Sequence, residues 1–142
     1  MQNKTNWIAL LVAAVAGMAI GFLFYGALFM EQWANYHGYT IENDVMFKDG
    51  VEVPYSNLPM IINTVALLLY AFVLNWLVEK TGELSWAGGA KIGAIIGFFV
   101  LMSHYTSNRF AGAPTGLSMI DGSYAVVLFA VMGAIIGGWR KK

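Results

Sequence analysis

Cysteine is absent from the 142 residues of this chain, which excludes disulfide bonds, thiolate metal sites and cysteine nucleophiles. Charge is also scarce, at 11% of the residues against about 25% in a typical soluble domain. The 8 basic and 8 acidic residues give a net charge of zero, so the sequence lacks the basic footprint of a nucleic-acid-binding protein. We therefore expect neither a nucleic-acid partner nor thiol chemistry.

Apolar residues make up 58% of the chain, and most of them are gathered into four long stretches. These stretches cover about residues 7–30, 58–78, 86–105 and 123–139. A helix needs roughly 20 mostly apolar residues to cross about 30 Å of hydrocarbon, and a soluble helix would show a polar face that these stretches lack. The sequence predicts an all-α integral membrane protein, in which residues 1–142 form one domain with a bundle of four transmembrane helices.

The first stretch has a second interpretation, as a secretory signal peptide. Lys4 would be its basic end, and Ala14-Val15-Ala16 resembles a small-residue cleavage site. The apolar run continues beyond this point to Met30, whereas a signal peptide turns polar after its cleavage site. We therefore expect a helix that is retained.

Two polar segments separate the stretches on one side of the predicted bundle. In the first, residues 31–57, Asp49-Gly50 accepts the positive φ angles of a primed turn, and Pro54 ends the following arm because it has no N–H. We predict a β-hairpin over residues 45–53 in a small external cap, with a partner-binding edge as the alternative. The glycine, proline and polar content of residues 106–122 predicts a loop.

The basic residues are distributed unevenly about the four predicted spans. The side that holds both termini and the loop near residues 79–91 carries six of them, and the opposite side carries Lys48 and Arg109. Cytoplasmic segments of membrane proteins carry the excess of Lys and Arg. We therefore expect a multi-pass protein of the bacterial cytoplasmic (inner) membrane, with both termini in the cytoplasm and the lipid bilayer as its main partner.

Glycine recurs at four-residue spacing within three of the spans, which places the glycines of each span on one helix face. Faces without side chains let helix backbones approach closely in a membrane. We expect these faces to pack within the chain, and a homo-oligomer or a larger membrane complex is the alternative. The predicted packing residues are Gly17, Gly21, Gly89, Gly93, Gly97, Gly133 and Gly137.

Aromatic and ionisable residues collect near the outer ends of the spans, where a compact bundle would bring them together as one external rim. Interfacial anchoring of helix ends is the ordinary role of such residues, and an external ligand pocket is the alternative. The candidate ligand-binding residues are Tyr25, Glu31, Trp33, Tyr36, His37, His104, Tyr105, Arg109, Asp121 and Tyr124.

Metal binding at this rim is not predicted. Glu31, His37, His104 and Asp121 are of the right residue types, but their spacing matches no metal-binding motif. There is likewise no nucleophile elbow or phosphate-binding glycine loop, so we predict no catalytic residue and no cofactor.

The interiors of the predicted spans hold no Asp, Glu, Lys, Arg or His, which argues against a proton-driven carrier. The second span contains the polar residues Asn63, Asn75 and Tyr70. We expect these three to form hydrogen bonds between helices rather than to bind a substrate.

Several of these residues together resemble a small bacterial membrane family that is catalogued as domain-of-unknown-function family 1761. The resemblance rests on Asn6-Trp7, the run Gly21–Phe29, Trp33, Tyr124, the run Val131–Gly137 and Trp139, with looser matches at Gly97-Phe98 and Pro114. It covers most of the chain apart from residues 40–57. In that family a histidine often follows the tyrosine that opens the last helix, and this chain has Ala125 there. The resemblance implies four spans and no established activity.

Three functions stay open at this point. The first is a non-enzymatic helical bundle that binds a lipid-like or apolar ligand or serves as a subunit of a membrane complex. The second is an oligomeric channel or small-solute transporter, for which only Asn63, Thr64 and Asn75 offer polar lining. The third is a membrane enzyme that uses the external rim.

Overall fold

The computed structural model describes residues 5–139 and consists mainly of helices. Three long helices, α3 (Leu58–Thr81), α4 (Trp86–Phe110) and α5 (Thr115–Gly138), follow one another through short connections. Before them come α1 (Trp7–Phe22), a π-helical segment (Leu23–Leu28), the short helix α2 (Met30–Tyr36) and three strands, β1 (Tyr39–Glu42), β2 (Val45–Lys48) and β3 (Val51–Glu52).

Helix α1 starts at an N-cap and ends in a change of helical pitch. The side chain of Asn6 accepts a hydrogen bond from the Ala9 amide at 3.1 Å, which satisfies one of the free N–H groups of the first turn. Beyond Phe22 the chain widens into π-helix, and the Phe29 amide donates to the Phe24 carbonyl over five residues at 2.8 Å. Single π-helical turns often occur at functional sites.

The polar segment between α1 and α3 forms α2 and a three-stranded antiparallel sheet in the order β1-β2-β3. The predicted hairpin is confirmed: β2 pairs with β3, and Asp49 and Gly50 at its turn have φ angles of 53° and 77°. Helix α2 and strand β1 were not predicted. Strand β1 is joined to β2 by a second two-residue turn, Asn43-Asp44, in which both φ angles are positive.

Helix α5 lies at the centre of the bundle and packs against α1, α3 and α4. Its buried side chains meet those of α1 and α3 in one apolar core. Leu67, Leu74, Met132, Ile136 and Val78 are the largest apolar side chains that are fully buried. Helix α4 lies on the other side of α5 and packs mainly against that helix.

The predicted loop over residues 106–122 is mostly helical. Helix α4 continues to Phe110 and α5 begins at Thr115, so only a four-residue turn with Gly112 at a φ of 69° remains. The polar side chains that suggested a loop bond across the two helix ends instead. Asn108 donates to the Ser118 hydroxyl at 3.1 Å, and Arg109 donates to the Thr115 hydroxyl at 2.9 Å. Helix α5, which corresponds to the fourth predicted span, thus starts about two turns before Ser123, where that span was predicted to begin.

The contact between α4 and α5 is a contact of backbones. A methyl group on Gly97 would lie 2.5 Å from the Cα of Val126, and one on Gly93 would meet the carbonyl of Phe129. One on Gly89 would meet the carbonyl of Gly133 and lie 3.1 Å from the Cα of Gly137. The glycine face of α4, formed by Gly89, Gly93 and Gly97, therefore leaves no room for a side chain at its contacts with α5.

The glycines of α1 face side chains rather than backbone. A methyl group on Gly17 would lie 2.7 Å from the Leu67 side chain and 3.0 Å from that of Leu128. One on Gly21 would lie 3.4 Å from the Tyr124 hydroxyl. Gly17 thus lets α1 approach both α3 and α5.

Four helical segments, Trp7–Leu28, Leu58–Thr81, Trp86–Phe110 and Thr115–Gly138, are long and apolar enough to cross a membrane. Large apolar side chains are widely exposed on them, including Phe22 at 74%, Val15 at 70% and Phe99 at 68%. An apolar surface of this extent marks a membrane or a partner interface rather than contact with water. The fold is that of a multi-pass helical membrane protein with a small three-stranded antiparallel sheet.

Candidate site at the cap end of the bundle

We call the end of the bundle next to α2 and the sheet the cap end. Here a hydrogen bond joins the π-helical segment to α5: the Tyr25 hydroxyl donates to Oδ1 of Asp121 at 2.8 Å. Tyr124 lies one helical turn after Asp121, and its ring packs edge-on against Tyr25 with centroids 5.0 Å apart. Tyr25, Asp121 and Tyr124 are each partly buried. We call these three residues the Tyr–Asp site.

The π-helical segment helps to position the site. It buries Phe24, whose ring lies 5.7 Å from that of Tyr124, and it leaves Tyr25 directed at Asp121. A π-helical turn inserts one extra residue relative to the α-helical pattern and so changes which side chains face a neighbouring helix. The apolar run around Tyr25 gave no sequence signal for this change of pitch.

A series of ring contacts continues from the site into the cap. Tyr25 packs edge-on against Trp33 of α2 with centroids 5.9 Å apart, and Trp33 lies 4.2 Å from the His37 ring and stacks on Tyr39 of β1. His37 Nδ1 donates to the Trp33 carbonyl at 2.9 Å. The Lys48 ammonium lies 5.0 Å above the Tyr39 ring, at a cation–π distance. Through these ring contacts, strand β1 of the sheet packs against the helical bundle.

The depth of the Tyr–Asp site follows from the helix lengths. Tyr25 and Asp121 each lie 18 residues from a tryptophan at the other end of the bundle, Trp7 and Trp139 respectively, or about 27 Å at 1.5 Å per residue. These two ends are level, because the Asn6 side chain donates to the Trp139 carbonyl at 3.1 Å. This length is close to the roughly 30 Å thickness of a hydrocarbon core, so a bilayer with one boundary at Trp7 and Trp139 has its other boundary near the Tyr–Asp site.

The predicted rim divides into two groups in the structure. Tyr25, Trp33, His37, Asp121 and Tyr124 form the connected set described above, whereas His104, Tyr105 and Arg109 lie on an exposed part of α4. In residues 5–139 neither His104 nor Tyr105 has a hydrogen bond or ring contact with the first group. A shallow cavity of about 290 Å³ is lined by Tyr105, Arg109, Thr106 and Phe110.

The two remaining rim residues lie on α2. Glu31 is exposed in its first turn. The Tyr36 hydroxyl lies directly over Gly116, where an added side chain would collide with it. Tyr36 therefore holds α2 against the start of α5.

Metal ligands do not gather in the described part of the chain, where no group of three His, Asp or Glu residues could hold an ion. Among the polar residues of the second span, Asn75 is buried at 4% exposure. The Thr64 hydroxyl donates to the Met60 carbonyl of its own helix at 2.8 Å.

A second cavity, which the sequence interpretation missed, lies between α1 and α3. It measures about 340 Å³ and has a lining that is apolar throughout. Its residues are Trp7, Leu10, Leu11, Val65, Leu68, Leu69 and Phe72. We call it the α1–α3 groove. Its residues have the same composition as ordinary lipid-facing residues, so no sequence signal separates them.

The fold and the two sites define the class as a multi-pass helical membrane protein. Within that class, the family model described as "Protein of unknown function (DUF1761)" matches residues 8–137, and the chain belongs to that family. The resemblance found in the sequence is thereby confirmed. No curated protein and no solved structure matches the chain.

Proposed function

We propose that this protein is a non-enzymatic membrane protein that binds the apolar tail of a lipid-like molecule in the α1–α3 groove. The observation that carries the proposal is the groove itself: about 340 Å³ of space bounded by seven apolar side chains. This volume lies at the lower end of the range of about 300–1,000 Å³ found for ligand sites.

The chemistry of the lining supports a hydrocarbon occupant. Leu11, Leu68 and Phe72 are exposed or only partly covered, and no polar side chain lines the groove. A tail that fills this space makes dispersion contacts with both helices, whereas an unfilled groove leaves its lining side chains without those contacts. Apart from the indole N–H of Trp7, a polar solute would find no side-chain hydrogen-bond partner there.

The position of the groove also supports this occupant. It lies between two helices that are each long enough to span a membrane, so hydrocarbon surrounds it. The lining includes Trp7 in the first turn of α1, which places part of the groove towards the end of the bundle that holds Trp139. By the distribution of basic residues, we propose that this end faces the cytoplasm and that the protein resides in a bacterial inner membrane.

Photo-crosslinking tests the proposal. The protein is reconstituted with a phospholipid that carries a diazirine on its acyl chain, and the labelled peptides are located by mass spectrometry. We expect labelling to concentrate on α1 and α3 at the groove. Leu68→Trp fills the groove and removes most of that labelling, whereas Ile95→Trp, at a position of similar exposure on α4, leaves it intact. Uniform labelling of all exposed helix faces would contradict the proposal.

A further inference from the structure

The Asp121 carboxylate has an incomplete set of partners. Oδ1 accepts the hydrogen bond from Tyr25, and within residues 5–139 no basic nitrogen lies at ion-pair distance from either oxygen. The salt bridge between Lys91 and Glu83 lies at the other end of the bundle. The residue is only partly buried, so a molecule from outside can approach it.

A carboxylate at this depth favours a positive partner. Ionised groups close to hydrocarbon are costly unless they are paired, and the neutral Tyr25 hydroxyl leaves the negative charge uncompensated. A carboxylate has lone pairs for about four hydrogen bonds, of which Tyr25 uses one. A cation that donates hydrogen bonds would complete the arrangement.

The aromatic neighbours indicate which kind of cation fits. Tyr25 and Tyr124 present two rings next to the carboxylate, and Trp33 extends the aromatic surface. Ring faces attract ammonium groups, whereas Ca²⁺ and Mg²⁺ prefer several oxygen ligands, which the described residues do not gather here. One carboxylate with adjoining rings is the chemistry that recognises an organic ammonium ion.

The segment above the site adds a favourable field. Residues 31–57 carry five acidic residues and one lysine. Such an excess of negative charge raises the local concentration of cations.

We propose that the Tyr–Asp site binds an organic ammonium group, with Asp121 as its counter-ion and the rings of Tyr25 and Tyr124 as its walls. The group is either the amine headgroup of a membrane lipid or a free amine. This site lies at the opposite end of the bundle from Trp7 of the α1–α3 groove, so the inference stands independently of the proposed function.

Protection from a carbodiimide tests the proposal on the wild-type chain in a neutral detergent. Dicyclohexylcarbodiimide activates carboxyl groups near hydrocarbon as an O-acylisourea, which rearranges to an N-acylurea or reacts with a primary amine to give an amide. Peptide mass spectrometry therefore follows the loss of the unmodified Asp121 peptide, which counts both products, so that capture of the activated carboxyl group by an amine probe is not mistaken for protection. The probes are ethylammonium and dihexanoyl phosphatidylethanolamine; ethanol and dihexanoyl phosphatidylglycerol are their controls without an ammonium group. At a probe concentration about ten times its Kd, mass action slows the labelling of Asp121 about tenfold.

The outcomes separate the sources and decide the proposal. Protection by ethylammonium, with or without protection by the lipid amine, supports binding of a free amine, and protection by the lipid amine alone supports a lipid headgroup. Protection by phosphatidylglycerol to the same extent would show steric shielding and overturn the proposal. So would the absence of protection by either ammonium probe.

Direct binding to variants gives the second measurement. Asp121→Asn keeps an acceptor for Tyr25 and removes the charge, so we expect the affinity for the effective ammonium probe to fall about tenfold or more. Asp49→Asn is the matched control, because Asp49 lies in the turn between β2 and β3, where a φ of 53° accepts asparagine. An unchanged affinity in Asp121→Asn, or an equal loss in Asp49→Asn, would overturn the proposal; the carbodiimide experiment decides if Asp121→Asn does not fold.

Discussion

The backbone contact between α4 and α5 gives the sharpest prediction for stability. A methyl group on Gly97 would lie 2.5 Å from the Cα of Val126 and 2.7 Å from the Ala125 carbonyl oxygen. Carbon atoms pack best at about 3.5–4.0 Å, so Gly97→Ala must move α4 away from α5 by roughly 1 Å or more. Packing of this kind, rather than the hydrophobic effect, holds helices together in lipid.

The expected magnitude follows from two opposing effects. Overpacking costs about 1–3 kcal/mol, and alanine gains up to about 1 kcal/mol over glycine in helix propensity. We therefore expect Gly97→Ala to lower the free energy of unfolding by about 1–2 kcal/mol, and Gly97→Val to lower it further. Gly26→Ala is the matched control, because its nearest neighbour is the Phe22 ring at an ordinary 3.4 Å.

The assay is reversible unfolding in mixed micelles with increasing dodecyl sulfate, followed by circular dichroism. Gly26→Ala should leave the free energy of unfolding unchanged or raise it by up to about 1 kcal/mol, because no clash offsets the helix propensity of alanine there. A Gly97→Ala variant as stable as wild type would refute the reasoning, because it would mean that α4 and α5 separate at no cost.

Four further predictions concern other parts of the structure. Tyr25→Phe keeps the ring but loses the bond to Asp121, and should lower the free energy of unfolding by about 1.5–3 kcal/mol in the same assay, an effect that disappears in an Asp121→Ala background. Met132→Ala leaves a cavity at a fully buried position and should cost about 2–5 kcal/mol, against less than about 1 kcal/mol for Val131→Ala at 36% exposure. Gly50→Ala, at a φ of 77°, should destabilise the sheet by about 1 kcal/mol and speed hydrogen exchange in β2 without changing it in α5. Because the chain has no cysteine, single cysteines introduced by Ala113→Cys and Thr81→Cys report the topology without background labelling. An impermeant maleimide should label Ala113→Cys in intact cells and Thr81→Cys only after permeabilisation. The reverse pattern would show that the proposed orientation is inverted.

The interpretation of the sequence succeeded where one local property decides the structure. Long apolar runs predicted the membrane helices because backbone groups in hydrocarbon must be paired within a helix. Asp49-Gly50 predicted its hairpin because the residues of the turn themselves accept positive φ angles. Neither outcome depends on residues distant in the chain.

The interpretation of the sequence failed where polar residues form hydrogen bonds with residues of another helix. Asn108 and Arg109 bond to Ser118 and Thr115, so the polar stretch continues as two helices instead of a loop. The same difference moves Asp121 from a predicted loop into α5 and next to Tyr25. Local composition does not reveal such pairs, because it contains no information on which helix faces meet.

The sequence alone was enough to predict that this protein lies in a membrane and has four long helices, because the length of its apolar runs decides both. It was also enough to identify the family, because a family is recognised by a linear pattern of residues. Only the tertiary structure decided that the rim residues form two groups, that Tyr25 and Asp121 are partners, and that a groove opens between α1 and α3. These features depend on helix rotation and pitch, and one π-helical turn between Leu23 and Leu28 is enough to change which side chains face a neighbour.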